Sequence, residues 1–195
     1  MYRQGNIIIR PFHSDDATSV YAAVQESRAE VAPWLPDASL ARSPADVATW
    51  IAWRNDEWSQ GQAYHFAIVA VDAGTLLGAC GLTRINERHR FANLYYWVHS
   101  GHLRRGVAST ATRLLARFGF EQLHLHRIEI VVAVQNRASI GVAEKVGAVC
   151  EGIARNRITT GETIRDAFMF SLIPGDLADW PPADHGPAID TAASR

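Results

Sequence analysis

The sequence predicts an α/β fold of the α+β kind, with a mainly antiparallel first half. Two observations carry this. Short runs rich in β-branched and aromatic residues alternate with longer segments whose apolar residues recur at helical spacing. Three of those runs follow one another between residues 64 and 99 with only turn residues between them, which an antiparallel meander requires. At 195 residues, with 48% hydrophobic and 20% charged, one domain with a sizeable core is the default.

Residues 6–12, NIIIRPF, read as the first strand. Ser14 is a plausible cap for the helix that follows, with Asp15 and Asp16 in its first turn and Val20, Val24 and Val31 along one side. Pro33 and Pro36 end it. Ser43, Pro44 and Asp46 open a second helix that carries Trp50, Trp53 and Trp58 and stops before Gly61. Residues 64–72 and 75–84 form a hairpin about Ala73-Gly74, and 91–99 adds the next strand after a polar turn. The clearest helix spans 103–123: Val107, Ala111, Leu114, Leu115 and Phe118 make one stripe, and Thr110, Arg113, Arg117 and Glu121 the polar face. A strand over 126–135 leads into a helix beginning at 136–139 and ending near Gly147. Residues 149–158 and 163–173 are two last strands about Thr160-Gly161. The expected domain is therefore 1–173, followed over 174–195 by a loose acidic tail rich in Pro, Asp and Ala.

The net charge of −1 argues against bulk binding of nucleic acid or an anionic membrane. Yet residues 99–127 hold five Arg against one Glu, with four His, so the middle of the chain is basic. No apolar run is long enough for a membrane span, and the first residues lack the apolar stretch of a signal peptide. Two cysteines, Cys80 and Cys150, make no disulfide scaffold, and a reducing cytoplasm is the expected compartment. His124-x-His126 has no third ligand nearby, so no metal is expected, and neither a Gly-x-Ser-x-Gly elbow nor a Gly-Lys-Ser/Thr phosphate loop is present.

The junction at 96–109, YWVHSGHLRRGVAS, is the most informative. A strand enters a short turn and a helix opens behind Arg104, Arg105 and Gly106. A helix start presents unpaired N–H groups and the positive end of its dipole. Gly106 lets an anion approach the backbone and Ala108 does not obstruct it, so the segment suits a pyrophosphate; a helix start with solvated arginines is the alternative.

HLRRGVAS resembles the acyl-CoA pyrophosphate loop of the GNAT N-acetyltransferase superfamily, Gln/Arg-x-x-Gly-x-Gly/Ala, with Leu103 at the usual Gln/Arg position. Asn136-Arg137-Ala138-Ser139 followed by Glu144-Lys145-Val146-Gly147-Ala148 is similar to that family's Asn-x-x-Ser and Glu-Lys-x-Gly-Phe segments. The likeness covers about residues 5–173 and is nearest to the RimJ/RimL-type branch, named for ribosomal-protein N-terminal acetyltransferases.

This resemblance implies a twisted mixed sheet of about seven strands, splayed between the fourth and fifth and flanked by about four helices. It implies acetyl-CoA as cosubstrate, held by backbone at Trp97 and Val98, by the loop of Arg104, Arg105, Gly106, Val107, Ala108 and Ser109, and by Asn136 and Ser139. Ala143 falls where many members carry a proton-donating Tyr, and Ser139 matches the acid proposed in the RimL-like branch; a helix first-turn residue is its other reading. The two carboxylate positions fall at Ile158 and Asn93, so neither base is present. His99 is then a weak base candidate, with Glu87, His65, Glu162 or a chain of water as others. Trp34 lies in the segment the family places beside the acceptor.

The reading that results is an N-acetyltransferase acting by direct attack on a primary amine: a small molecule, a peptide or a protein N-terminus. Use of another acyl-CoA such as succinyl-CoA, an acyl-CoA sensor with impaired catalysis, and a basic module for RNA or the ribosome are the rivals. The branch also allows a homodimer.

Overall fold

The computed structural model describes residues 1–34 and 42–185. Its strands are β1 (Tyr2–Gln4), β2 (Ile7–Pro11), β3 (Tyr64–Ala70), β4 (Leu76–Asn86), β5 (Phe91–Val98), β6 (Arg127–Ala133), β7 (Val149–Thr160), β8 (Thr163–Leu172) and β9 (Asp184–His185). The helices are α1 (Ala17–Glu26), α2 (Arg28–Val31), α3 (Pro44–Ser59), α4 (Val107–Glu121) and α5 (Arg137–Lys145). One sheet runs in the order β7-β8-β6-β5-β4-β3-β2-β1-β9. It adds the short β1 and β9 to the seven strands legible in the sequence.

The β5–β6 pair is parallel, across the α4 crossover, while the other pairs are antiparallel. Its register covers three positions, Phe91–Arg127, Ala92–Ile128 and Asn93–Glu129. Beyond them β5 stays with β4 as far as Val98, and β6 stays with β8 as far as Ala133. The sheet therefore opens between the fourth and fifth predicted strands.

Helices cover both faces of the sheet. On one face α4 buries Ala111, Leu114, Leu115 and Phe118 against Leu94, Val98, Ile128 and Ile130, with Ile140, Ala143 and Val146 of α5 in the same core. Phe118 meets Tyr2, Trp58, Tyr64 and Phe66 at centroid separations of 5.1–6.0 Å, a packed aromatic cluster. On the other face α1 and α3 bury Val20, Val24, Val47 and Ile51 against Ala67, Val69 and Ala79.

Local signals are realised with two shifts. Ser43 Oγ accepts the Asp46 N–H at 3.2 Å and Pro44 opens α3, as expected. Near the first helix Asp16, not Ser14, takes the end N–H, accepting from His13 at 2.8 Å while paired with Arg10. Pro36, expected to end this region, lies outside the described residues.

The loose tail expected after 173 is corrected for residues 174–185. Trp180 donates its Nε1–H to the Val146 carbonyl at 3.2 Å, Arg117 donates to Pro181 O at 3.0 Å, and β9 pairs with β1. An aromatic residue and a strand edge bind this acidic segment to α4, α5 and the sheet. No helix among the described residues is long and apolar enough to cross a membrane.

Gly81 is the tightest point of the α3-covered face. It stands between His65 of β3 and Tyr95 of β5 in register. A Cβ there would lie 2.6 Å from Tyr95 Cε1, 2.8 Å from Tyr64 O and 3.1 Å from His65 Nδ1. Gly81→Ala is expected to destabilise the protein by about 2 kcal/mol, an overpacking cost. Gly141→Ala, inside α5 with nothing within 4 Å of its Cβ, should stabilise by about 0.5–1 kcal/mol. Urea unfolding of both variants checks the contrast.

Candidate active site

The opening between β5 and β6 leaves one strand edge without a strand partner. His99 donates its N–H to Leu77 O of β4 at 2.8 Å. Backbone groups alternate sides along a strand, so those of Trp97 also point at β4, whereas those of Tyr96 and Val98 point into the gap. Val98 and Tyr96, two residues before it, rather than Trp97, thus carry the backbone polarity that faces the gap. The Trp97 side chain packs on the α1/α3 face.

The loop that follows is shaped by two left-handed residues. Arg104 has φ 59° and Gly106 φ 79°, and Gly106 caps α4. The helix begins at Val107, the first residue of the apolar stripe and four residues later than the expected span 103–123, because the chain curls through 103–106 first. Leu103, Arg104 and Arg105 are exposed. Ser109 turns its hydroxyl back to Gly106 O at 3.0 Å, and Val107 is buried in the core. The N–H groups of the first turn, Val107 to Ser109, are left for an external acceptor, since a helix cannot bond them internally. Gly106 has open space where a Cβ would stand apart from Ser109 Oγ at 4.0 Å, so the cradle is accessible.

Across the gap, Asn136 caps α5, its Oδ1 accepting the Ser139 N–H at 3.1 Å. Its amide NH2 remains for a ligand. Ser139 Oγ lies 2.6 Å from the Tyr96 hydroxyl. Burial pushes the Tyr96 phenol up to about 12, an effect its hydrogen bond with Ser139 offsets only in part. Tyr96 therefore remains a proton donor throughout the neutral range. Sequence reading missed it: the helix position for a tyrosine holds Ala143, and the phenol comes instead from β5, in the Tyr-Tyr-Trp-Val run.

On the opposite face Tyr95 leans over Gly81, its hydroxyl 2.7 Å from His65 Nδ1, and His65 Nε2 lies 3.1 Å from Glu57 of α3. Arg54 pairs with the same Glu57 oxygen at 2.6 Å and stacks on Trp50 and Trp53. Burial, and then the Arg54 charge, lower His65 to about 4 despite the opposing carboxylate. A neutral imidazole facing a carboxylate carries its proton on Nε2, so Nδ1 accepts from Tyr95. His65 was among the base candidates, but its chain to Tyr95 was not visible in sequence.

The remaining base candidates are spread apart. His99 Nε2 is 2.8 Å from Glu26, and its ring faces His102 beside a cavity of about 240 Å³ reaching Ser19 and Thr75. That cavity lies on the β4 side of β5 and the α1 face, so His99 is not brought together with Ser139. Glu87 lines a second cavity with Tyr64 and Leu125, and Glu162 sits in the β7–β8 turn. Trp34 stacks on Arg165 of β8, 5.6 Å from guanidinium carbon to ring centroid. Among the described residues no cluster of three or more His, Cys, Asp or Glu suits a metal ion.

A sheet open at one parallel pair, with a glycine-capped helix start beside it, is the geometry of an acyl-CoA site, and the family model for the acetyltransferase (GNAT) domain matches residues 6–149. The chain belongs to the GNAT acetyltransferases. It is thus an N-acyltransferase of an acyl-CoA-dependent family. It is 32% identical over 124 residues to the uncharacterized N-acetyltransferase p20 of Bacillus licheniformis, covering 64% of this chain and 70% of that one. It is 27% identical over 170 residues to YdaF of Bacillus subtilis, a proposed ribosomal N-acetyltransferase, covering 86% and 91%. Its fold matches RimJ of Mycobacterium smegmatis, solved with CoA-disulfide, at a TM-score of 0.82 and 22% identity over 88% of this chain and 84% of that one.

The neutral, buried His65 has a consequence for acid stability. The unfolded chain protonates this imidazole near pH 6.5, while the folded protein keeps it neutral to about pH 4. Between those values unfolding takes up a proton, so stability falls as pH is lowered through that window, by about 1.4 kcal/mol per unit at most from this group. His65→Gln should flatten the slope, as read by urea unfolding at pH 4.5, 5.5 and 6.5.

Proposed function

We propose that this GNAT protein transfers the acetyl group of acetyl-CoA to a primary amine, by preference an α-amino group of a peptide, a protein or a small molecule, in a ternary complex. The observation that carries the reading is the open edge of β5 lying between the Gly106 cradle and the Ser139–Tyr96 hydroxyl pair. Pyrophosphate oxygens would take the first-turn N–H groups of α4, with Arg104 and Arg105 beside them. The pantetheine arm would lie along β5 as an added strand. The Val98 N–H would polarise the thioester carbonyl as its oxygen becomes negative in the transition state.

The neutral amine attacks the carbonyl carbon, and the C–S bond breaks as the tetrahedral intermediate collapses. Ser139 gives its hydroxyl proton to the departing thiolate and takes one from Tyr96, while the amine nitrogen of the intermediate loses its extra proton to water, from which Tyr96 is reprotonated. A thiolate with a conjugate-acid pKa of about 8.5 is already a fair leaving group, so this donor need not be strong. The YdaF likeness and the RimJ-like fold support a protein or peptide acceptor.

Thiol release from acetyl-CoA with a panel of amines tests the reading; none released with any amine would favour the acyl-CoA sensor. Ser139→Ala is expected to lower kcat about ten- to a hundredfold with acetyl-CoA affinity nearly unchanged, because the donor acts at departure of the thiolate. Tyr96→Phe should give a smaller loss in the same direction.

Asn93 and Ile158 supply no carboxylate, so the acceptor should be one that is neutral by itself. At pH 7.5 an α-amine of pKa about 7.8 is roughly one-third neutral, and a Lys side chain of pKa about 10.4 only about a thousandth. Activity is expected to rise toward pH 8–9 with the acceptor's own ionisation and then level off. A limb set by an enzyme group near pH 6.5 would point to a histidine instead.

A further inference from the structure

On the transferase reading the cofactor takes the α4 side of the gap, which leaves the opposite face for the acceptor. That face is spanned at its mouth by the chain that leaves α1. Ser100, just past β5, donates its N–H to the buried Ser27 at 2.9 Å, and seven residues on Trp34 reaches Arg165 of β8. The segment therefore runs from one side of the opening to the other. Arg165 stands at the level where the opening is wide. The β6–β8 register ends at Ala133–Ala167, and one step further Val134 donates to Asp166 O at 3.1 Å, so Arg165 is level with Gln135, immediately before the α5 cap. It shares the strand parity of Ala167 and Met169, whereas Phe168 and Phe170 pack under α4 and α5. Its side chain accordingly lies on the acceptor face, as the Trp34 contact confirms.

Arg165 differs from the other arginines with a buried, unpaired Nε in having no oxygen partner at all among the described residues. Three arginines have a buried Nε with no hydrogen-bond acceptor: Arg54, Arg113 and Arg165. Arg54 holds Glu57 through another nitrogen, and Arg113 holds the Lys145 carbonyl. Arg165 makes neither a hydrogen bond nor an ion pair among the described residues, and the residue paired with it across the hairpin is the apolar Ile158. The nearby Asp166 carboxylate accepts from the Asn156 N–H. The Trp34 ring lies over the guanidinium carbon, and while Nε is buried, the four N–H donors of the two terminal nitrogens remain for a ligand. A planar fork held flat by an aromatic ring is suited to a carboxylate, which it can take through two parallel hydrogen bonds.

We infer that Arg165, stacked on Trp34, binds a carboxylate on the acceptor, so that the preferred substrate is a primary amine with an acidic group close to it, such as a peptide whose first or second residue is Asp or Glu. This rests on the transferase reading and narrows it. The same cation disfavours polyamines, whose remaining ammonium groups would stand beside it.

The test uses the full chain with acetyl-CoA and three C-terminally amidated pentapeptides that differ at the second residue: Ser-Asp, Ser-Asn and Ser-Lys. The expected kcat/KM for the Asp peptide exceeds that for the Asn peptide about tenfold or more, with the difference in KM, and the Lys peptide is poorest. Arg165→Gln should bring the Asp and Asn peptides within about twofold to threefold, and Arg165→Glu should place the Lys peptide first. Arg165→Lys, which keeps the charge but loses the fork, should keep part of the preference. Unchanged acetyl-CoA affinity by calorimetry shows that each variant retains its fold and cofactor site. Equal use of the three peptides, or a preference that survives Arg165→Glu, overturns the inference and leaves the transferase reading standing. Absence of thiol release with all three peptides and with other amines overturns both.

Discussion

The short parallel pairing of β5 with β6 is the constraint on which the site depends. Three residue pairs join the strands, and then each follows its other neighbour. Each half of the sheet keeps its antiparallel ladder, so the opening exposes only one edge on either side. Backbone groups that would be costly to leave buried and unpaired are tolerable here because a ligand can take them. Everything functional is arranged about that edge: the α4 start at one end, the α5 start across it, and the α1–α2 segment over its mouth.

The two faces of β5 hold different chemistry although the residues are adjacent. Tyr96 turns toward α5 and meets Ser139; Tyr95 turns toward α3 and meets His65. On the first side burial keeps a phenol protonated. On the second it keeps an imidazole neutral, against the pull of Glu57. Desolvation acts on both groups in the same sense, against the charged form. Neither Tyr96 nor His65 therefore changes charge near neutral pH. The protonation state of the amine is then the variable left to the substrate.

The absence of a carboxylate at Ile158 also reshapes the acceptor side. Ile158 faces Arg165 across the hairpin. An acidic residue there would have paired with that guanidinium. With isoleucine in its place the cation keeps its donors, and Trp34 fixes their plane. On the proposed reading one apolar residue bears on both sides of the chemistry: it offers no proton acceptor, and it leaves the guanidinium across the hairpin without a carboxylate.

Much of this was legible in the sequence. The Arg-Arg-Gly-Val-Ala run marked one helix start and Asn136-x-x-Ser139 a second, because both are local backbone features set by residues a few positions apart. The meander over 64–99 was legible for the same reason. The early strand β1 and its partner β9 were not, since three and two residues are too short to show a strand pattern, and β9 acquires strand geometry only by pairing with β1 across the whole chain. Nor was the tail, which Trp180 holds against Val146. Tertiary structure alone decided that Tyr96 would meet Ser139, that Gly81 would let Tyr95 reach His65, that His99 would turn to Glu26 and away from Ser139, and that Arg165 would meet Trp34. Each joins residues at least 14 positions apart, and most of them far more, through strand register and helix packing. Register sets the face on which a side chain stands, and packing sets what it meets there; neither is written in the spacing of neighbouring residues.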